Sequence, residues 1–453
     1  MAKFNREKVL RQLEFKRKLR SYSRYVYIAV PCVLCCLLCL YFAYSKFFVS
    51  EEQAVIRTTV GDFIYGDIVI SAYIDGEYSN TIPGKDDGYI VEKVSCDNDA
   101  IGKWNSDDWG IMVTDLSKRT KCNVYFKKKP DSKVPEIIAQ LDTSGKCPTV
   151  NDDGSVNVTG VEATNGYLCK AKDAYGDSYY YRGNVTNNYV KFADKYWRIV
   201  RINGDGTVRV IYDGTSAHAN GEASADRQIG TSAFNSSYND NAYVGYMYGK
   251  TGASTYADAH ANTNNSTIKT YIDDWYKTNI VGTTNEQYLA DNIFCNDRSM
   301  AGNNSGTGAG TSVTYYRWYN GPWESENYSK YNKKMMLTCS QKNDAFTVSD
   351  TTNGNGALTY PVGLLSTDEI ALAGGWNAAN SGYYLYSGQV WWASSPNRFN
   401  GNRANVRLVD SYGNANYFDS VDRIGGVRPV FNLKAEVLLQ GSGTAEDPYR
   451  ISS

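Results

Sequence analysis

The apolar positions of this chain fall into three patterns. The first is an unbroken run. Between Arg24 and Lys46 stand the uncharged residues YVYIAVPCVLCCLLCLYFAYS. About 20 apolar residues cross a bilayer core as a helix. Tyr25, Tyr27, Tyr41 and Tyr44 flank the run, where an aromatic belt would sit. Residues 25–45 therefore read as a transmembrane helix held in membrane lipid. A cleaved signal peptide is the competing reading, but the run exceeds a usual signal-peptide core and no small-x-small cleavage site follows it.

The second pattern is alternation. DIVISAYI, GYIVEKVSC, GIMVTDL and CNVYF are separated by DGEYSN, PGKDDG and NSDD. Short alternating runs between turn clusters predict a small antiparallel β module, bounded here at residues 46–130, with Trp104 and Trp109 in its core. KKKPDSKVPE (127–136) leads into a charged, Pro-bearing linker, residues 131–146.

The third pattern, from 147 to 453, is mixed. Tyr196–Ile202 and Thr207–Tyr212 form a hairpin about the turn Asn203-Gly204-Asp205-Gly206. Ser266 and Thr267, then Ile268, Tyr271, Ile272 and Trp275, predict a capped amphipathic helix. Ser366-Thr367-Asp368-Glu369 is a capping box, and Gly374-Gly375 ends the helix it starts. Residues 299–313 read as a Gly/Asn/Ser loop. QVWWASSP, ANVRLVD, GNANYFD and GVRPVFNL are strands in polar loops.

Charge fixes the orientation. The chain has 47 Lys+Arg against 48 Asp+Glu, but residues 1–24 hold nine basic residues and two Glu. The positive-inside rule places 1–24 in the cytoplasm and everything after residue 45 outside. The remaining chain is acidic, so it offers no electrostatic footprint for nucleic acid. With 38 Tyr, 40 Gly and 2 His, it reads as a β-rich extracellular surface with little room for His catalysis or a His-built metal site.

Cys32, Cys35, Cys36 and Cys39 share one face of the membrane helix. That stripe suits lipid or a partner helix; palmitoylation and a disulfide-linked dimer are the sharper readings. Six exterior Cys allow fifteen connectivities. We expect sequential pairing, Cys96–Cys122, Cys147–Cys169 and Cys295–Cys339, because each pair falls within one module. Their spacings match no zinc pattern. No G-x-S-x-G, H-E-x-x-H or P-loop occurs. Asp205 belongs to turn chemistry, Asp368 and Glu369 to the capping box, and Asp273-Asp274 to an exposed helix face. His218 and His260 fall in polar loops. We expect no metal, cofactor or catalytic residue.

Whole phrases carry a resemblance: SYYYRGNVTNNYVKFADKYWRIVRINGDGTVRVIY (178–212), SAFNSSYNDNAYVGYMYG (232–249), HANTNNSTIKTYIDDWY (260–276), FCNDR (294–298), QKNDAFTVSDTTNGNGALTYPVGLLSTDEIALAGG (341–375), WWASSP (391–396) and GGVRPV (425–430). Over residues 50–453 the chain resembles an uncharacterised family of membrane-anchored surface proteins of Gram-positive-type bacteria. Its C-terminal end is also similar to C-type-lectin-like domains of the formylglycine-generating-enzyme type, which serve as variable ligand-binding proteins of diversity-generating retroelements. The enzyme branch needs a redox-active Cys pair near this end, and no Cys follows Cys339. The Glu-Pro-Asn or Gln-Pro-Asp triplet of calcium-dependent lectins is missing too. The resemblance thus implies a β-rich α+β architecture: a transmembrane helix, a small β-sandwich-like stalk and a C-type-lectin-like domain over 147–453.

Within that domain, residues 397–423 show an apolar frame of Phe399, Ala404, Val406, Leu408 and Val421. The polar fill is Asn397, Arg398, Asn400, Asn402, Arg403, Asn405, Arg407, Ser411, Tyr412, Asn414, Asn416, Tyr417, Asp419, Asp422 and Arg423. Alternation turns Asn405 and Arg407 away from Val406 and Leu408. Tyr, Asn, Ser and Arg are paratope residues, and many of these positions fit diversification of Asn codons. The expectation is a single-pass bacterial surface protein that binds an extracellular protein or glycan through this face, in adhesion or recognition. A plain solvated face, a cell-wall or glycan-processing enzyme and a structural envelope protein are the alternatives. Convergent carboxylates beside Trp391 would favour the enzyme.

Overall fold

A computed structural model describes residues 11, 13–18, 55–56, 62–65, 68–85, 87–106, 108–114, 119–128, 132–301, 305–319, 334–376 and 378–451. The expected membrane span, 25–45, lies outside them. Among the described residues no helix is long and apolar enough to cross a membrane. The fold is β-rich with α+β character, 35% strand against 14% helix. It divides into two compact units, Met1–Lys129 and Pro130–Ser453.

In the first unit the alternating runs become strands Ile68–Ile74, Tyr89–Cys96, Gly110–Thr114 and Thr120–Lys128. The module is not purely antiparallel as expected. Ile68–Ile74 pairs in parallel with Thr120–Lys128; a parallel pair needs a long crossover connection, which the 45 residues between these strands supply. Ile70, Ile111, Val113, Val124 and Phe126 are fully buried. Trp104 meets Phe126 and Trp109 edge to face. Cys96 lies directly opposite Cys122 in adjacent strands and is bonded to it.

Two large sheets, which share the main hydrophobic core, dominate the second unit. The first runs through Tyr167–Asp173, Gly176–Arg182, Lys195–Ile202, Val208–Gly214, Val430–Leu433 and Val362–Gly363, every pair antiparallel. The second runs through Gly230–Ala233, Ile424–Val427, Trp391–Phe399, Ala404–Val409 and Tyr417–Ser420. Cys147–Cys169 and Cys295–Cys339 are bonded, so all three disulfides follow the sequential pattern. The Asn203–Gly206 turn is closed by Asn203 and Gly206, the latter at φ 81°. Trp197 stacks on Phe431 at 4.7 Å, joining the hairpin to the C-terminal strand.

Helix Thr267–Asn279 is capped by Ser266, whose side chain accepts from the Lys269 amide. Asp273 is not on its exposed face as expected. It is 9% exposed and holds the buried Lys269 ammonium at 2.5 Å, one helical turn away. Helix Thr367–Ala373 has the expected reciprocal capping box, and Gly374 closes it in the left-handed region at φ 115°. The segment read as a linker carries a short helix, Val134–Ile138, whose Val134 and Ile137 enter the core of the second unit. Apolar residues at i and i+3 give it a buried face that its charged neighbours obscured.

Candidate functional site

The 397–423 segment forms a hairpin, Trp391–Phe399 with Ala404–Val409, extended by Tyr417–Ser420. Phe399, Ala404, Val406, Leu408 and Val421 are buried. The polar positions divide into three groups.

Asn397, Asn405 and Arg407 are buried, not exposed as expected. Ala404–Val409 is an inner strand covered on both faces. Its polar face lies under the Tyr316–Tyr319 segment. Asn397 Nδ2 donates to the Trp318 carbonyl at 2.8 Å, and Arg407 donates to the same oxygen from Nε at 3.0 Å and from Nη2. Arg407 Nη1 donates to Asn416 Oδ1 at 2.9 Å. A polar alternation reports which face lacks apolar groups, but a backbone segment can cover that face as well as water can.

A second group shapes the turns. Asn400 Oδ1 accepts from the amides of Asn402 and Arg403, and Asn414 Oδ1 from that of Asn416. Asp410, which the sequence reading missed, accepts from Tyr412 and Asn414. These are Asx turns, where a short side chain mimics a backbone turn. Asp419 accepts from Ser420. Arg403 pairs with Asp422 at 3.2 Å and lies over Tyr238 at 4.5 Å. Burial raises the Asp422 carboxyl, but hydrogen bonding by Ser420 and the charge of Arg403 hold it below its ordinary range. Ser411 is half-buried.

The third group can meet a ligand. Asn402, Tyr412, Tyr417 and Arg423 are exposed, and Ile424 beside them is 68% exposed. Half-buried Arg398 leads to an aromatic row. In antiparallel strands directly opposed residues share a face, and Arg398 opposes both Tyr315 and Asn405, while Arg407 opposes Phe418. Tyr315 stacks on Tyr319 at 4.1 Å. Arg398 lies 5.8 Å from Tyr319 and 4.9 Å from Phe418. Arg407 continues the row to Phe418 and Trp376 at 5.9 and 5.8 Å. The side chains of Tyr315, Tyr319, Arg398, Phe418 and Trp376 are all half-buried. Rigid guanidinium–π contacts of this kind fix aromatic faces before any ligand arrives.

Convergent carboxylates meet elsewhere than beside Trp391, whose neighbour is the Arg428 guanidinium at 5.0 Å. Asp297 and Asp368 converge on Arg317, at 3.0 and 2.5 Å. Trp318 Nε1 also donates to Asp368 at 3.1 Å. Glu369 completes the capping box and takes Arg209 at 2.7 Å and Arg201 at 3.2 Å. Burial works to raise Glu369, but the two guanidinium groups keep it below the carboxylate range. These pairs are buried and tie helix Thr367–Ala373 to three other segments.

Both histidines lie in loops, and both are buried. His218 is gripped by Glu222 at Nδ1, 2.7 Å, and Asp226 at Nε2, 2.9 Å. Burial would lower its pKa, but the two carboxylates raise it above the ordinary imidazole value. The two ring nitrogens of His260 have no partner among the described residues, and Tyr256 packs on the ring at 4.0 Å. Burial, with Arg298 close by, pushes its pKa down to about 2. Among the described residues no group of three or more His, Cys, Asp or Glu could hold a metal.

No curated protein and no solved structure matches the chain. Residues 264–435 match a family model described as a domain of unknown function (DUF6273). That stretch begins just before the capped helix at 267 and contains every residue of the 397–423 face.

Proposed function

We propose that the second unit is a recognition module of C-type-lectin-like topology that binds an extracellular protein or glycan without covalent chemistry. The uncharged run 25–45 anchors the chain in the cell membrane, with the basic segment 1–24 in the cytoplasm and the first unit as a stalk. Three disulfides, one in the first unit and two in the second, support an oxidising compartment. The lectin-like reading is supported by the C-terminal strand Val430–Leu433 returning to pair with Val208–Gly214. The GGVRPV phrase also has a packing role: a Cβ on Gly425 would meet the Trp392 ring at 2.8 Å, and one on Gly426 the Gln228 side chain.

The observation that carries the proposal is the exposed set Asn402, Tyr412, Tyr417, Arg423 and Ile424, continued by the half-buried Arg398 and its aromatic row. Binding by such a set is efficient because the scaffold has already ordered the groups that make contact. The test is binding of the full chain, in detergent, to an array of glycans and surface proteins. It runs beside a Tyr412→Ser/Tyr417→Ser/Arg423→Ser variant. A partner bound by the parent and lost by the variant is expected. A partner retained at full affinity would remove this face from the proposal.

A further inference from the structure

Residues 158–161, 163, 164, 182, 371, 374, 376 and 378–380 line an open cavity of about 350 Å³, within the size range of small-molecule sites. None of its lining residues lies within 397–423, and Trp376 is shared with the aromatic row that continues that face. Trp376 supplies an aromatic wall. Ala371, Gly374, Ala378 and Ala379 keep the space open, and the exposed Thr159 and Thr164 bring hydroxyls to the rim. The charge in the lining is Arg182, which is 2% exposed.

Arg182 has no ion-pair partner among the described residues. Its Nε donates to the Glu162 carbonyl at 2.9 Å. Nη1 donates to the Ala371 and Leu372 carbonyls at 3.1 and 2.8 Å, and Nη2 to the Val161 carbonyl at 2.9 Å. Two of those carbonyls end helix Thr367–Ala373, and their partial negative charge offsets part of the cation. A guanidinium has five N–H groups, so one on Nη2 has no acceptor among the described residues. The nearby Glu162 carboxylate is held by Thr164 Oγ1 and Asn165 Nδ2. A buried, incompletely compensated cation is costly unless an anion reaches it. The other buried arginines are held otherwise: Arg198, Arg201, Arg209, Arg227, Arg298 and Arg428 each meet a carboxylate, and Arg407 is shared between the Trp318 carbonyl and the Asn416 amide oxygen.

We propose that this cavity binds a carboxylated sugar residue, its carboxylate directed to Arg182, its ring face on Trp376 and its hydroxyls toward Thr159 and Thr164. An aromatic wall with hydroxyls at the rim suits a polyhydroxylated ring better than a simple anion. The residue can come as a free monosaccharide or as a glycan terminus.

Calorimetric titration of the full chain in detergent tests this with glucuronic acid, glucose, acetate, a glucuronate-terminated oligosaccharide and a peptide with a free C-terminal carboxylate. Glucuronic acid should bind about ten-fold or more tightly than glucose, the worth of a lost charge-assisted hydrogen bond, and acetate should bind no better than glucose. The oligosaccharide separates the sources: tighter binding than the monosaccharide indicates a glycan terminus, and equal binding a free sugar. Ala379→Phe, which fills the cavity from an exposed position, should abolish glucuronate binding at unchanged melting temperature. Any array ligand of the Tyr412/Tyr417 face should survive it, so the two proposals fail separately. Equal affinity for glucuronic acid and glucose, preference for the peptide, no glucuronate binding in the millimolar range, or binding that survives Ala379→Phe would each overturn the proposal.

Discussion

Replacing Glu369 by glutamine removes one negative charge from the interior while nearly preserving shape. In the folded chain Glu369 Oε1 holds Arg209 at 2.7 Å and Arg201 at 3.2 Å, with all three side chains almost fully buried. Arg201 keeps a second carboxylate, Asp173 at 2.6 Å. Arg209, already lowered to about 10 by burial, keeps the Asn432 amide oxygen and the Ile293 carbonyl. Stranding one member of a buried pair costs about 3–5 kcal/mol. The second unit, Pro130–Ser453, has about 320 residues, so its unfolding entropy near the midpoint is about 0.7 kcal/mol/K at ~2.1 cal/mol/K per residue. Glu369→Gln should therefore lower its melting temperature by about 4–7 °C in scanning calorimetry. Calorimetry suits a chain of two units, because it resolves their transitions separately. Adding Arg209→Met should restore part of the loss, since an apolar pair replaces a stranded charge. A shift under about 1 °C, or a double variant no better than the single, would falsify the view that this pair is charge-compensated through Glu369.

Arg407→Ala should destabilise the second unit by about 2–4 kcal/mol, because it removes a buried side chain with charged hydrogen bonds. Tyr417→Ser should stay within about 0.5 kcal/mol; equal melting curves for the two would contradict the assigned placements. His260 is kept neutral when folded, so the unfolded chain binds the extra proton and stability is lost as pH falls below about 6.5. The slope approaches about 1.4 kcal/mol per pH unit, and His260→Leu should flatten urea midpoints measured from pH 6.5 to 4.5. His218 has the opposite sign: its raised pKa gives stability that is complete below the ordinary imidazole value and lost as pH rises through the folded one. Amide exchange in residues 215–227 should quicken over that alkaline window and become pH-independent in His218→Gln, apart from intrinsic exchange. Replacing both Cys295 and Cys339 by Ala opens a 44-residue loop and should cost about 4 kcal/mol on chain-entropy grounds, read from the calorimetric transition of the second unit.

Local grammar made much of this fold legible. Ser366 with Glu369, Ser266 before its helix, and the Asn203–Gly206 turn each act within a few residues, and each stands where the sequence places it. The cysteine pairs were readable because each closes a loop within one unit. The polar face of Ala404–Val409 was not, because its cover comes from Trp318, some 89 residues away. The same distance hid Arg317 with Asp368, 51 residues apart, and Arg182 with Ala371, 189 apart. Periodicity states which side of an element differs from the other. It does not state what lies across from it.

The shared grip of Asn397 and Arg407 on one carbonyl also sets the terms for engineering this surface. A library built on the whole polar set of 397–423 would waste most members, since changes at 397 or 407 release the Trp318 segment, a change at 405 releases Arg398, and the turn residues 400, 410 and 414 fix loop shape. Randomisation confined to 402, 412, 417, 423 and 424 would leave every such contact intact. Those five positions are the part of the hairpin that can carry new specificity on an unchanged scaffold.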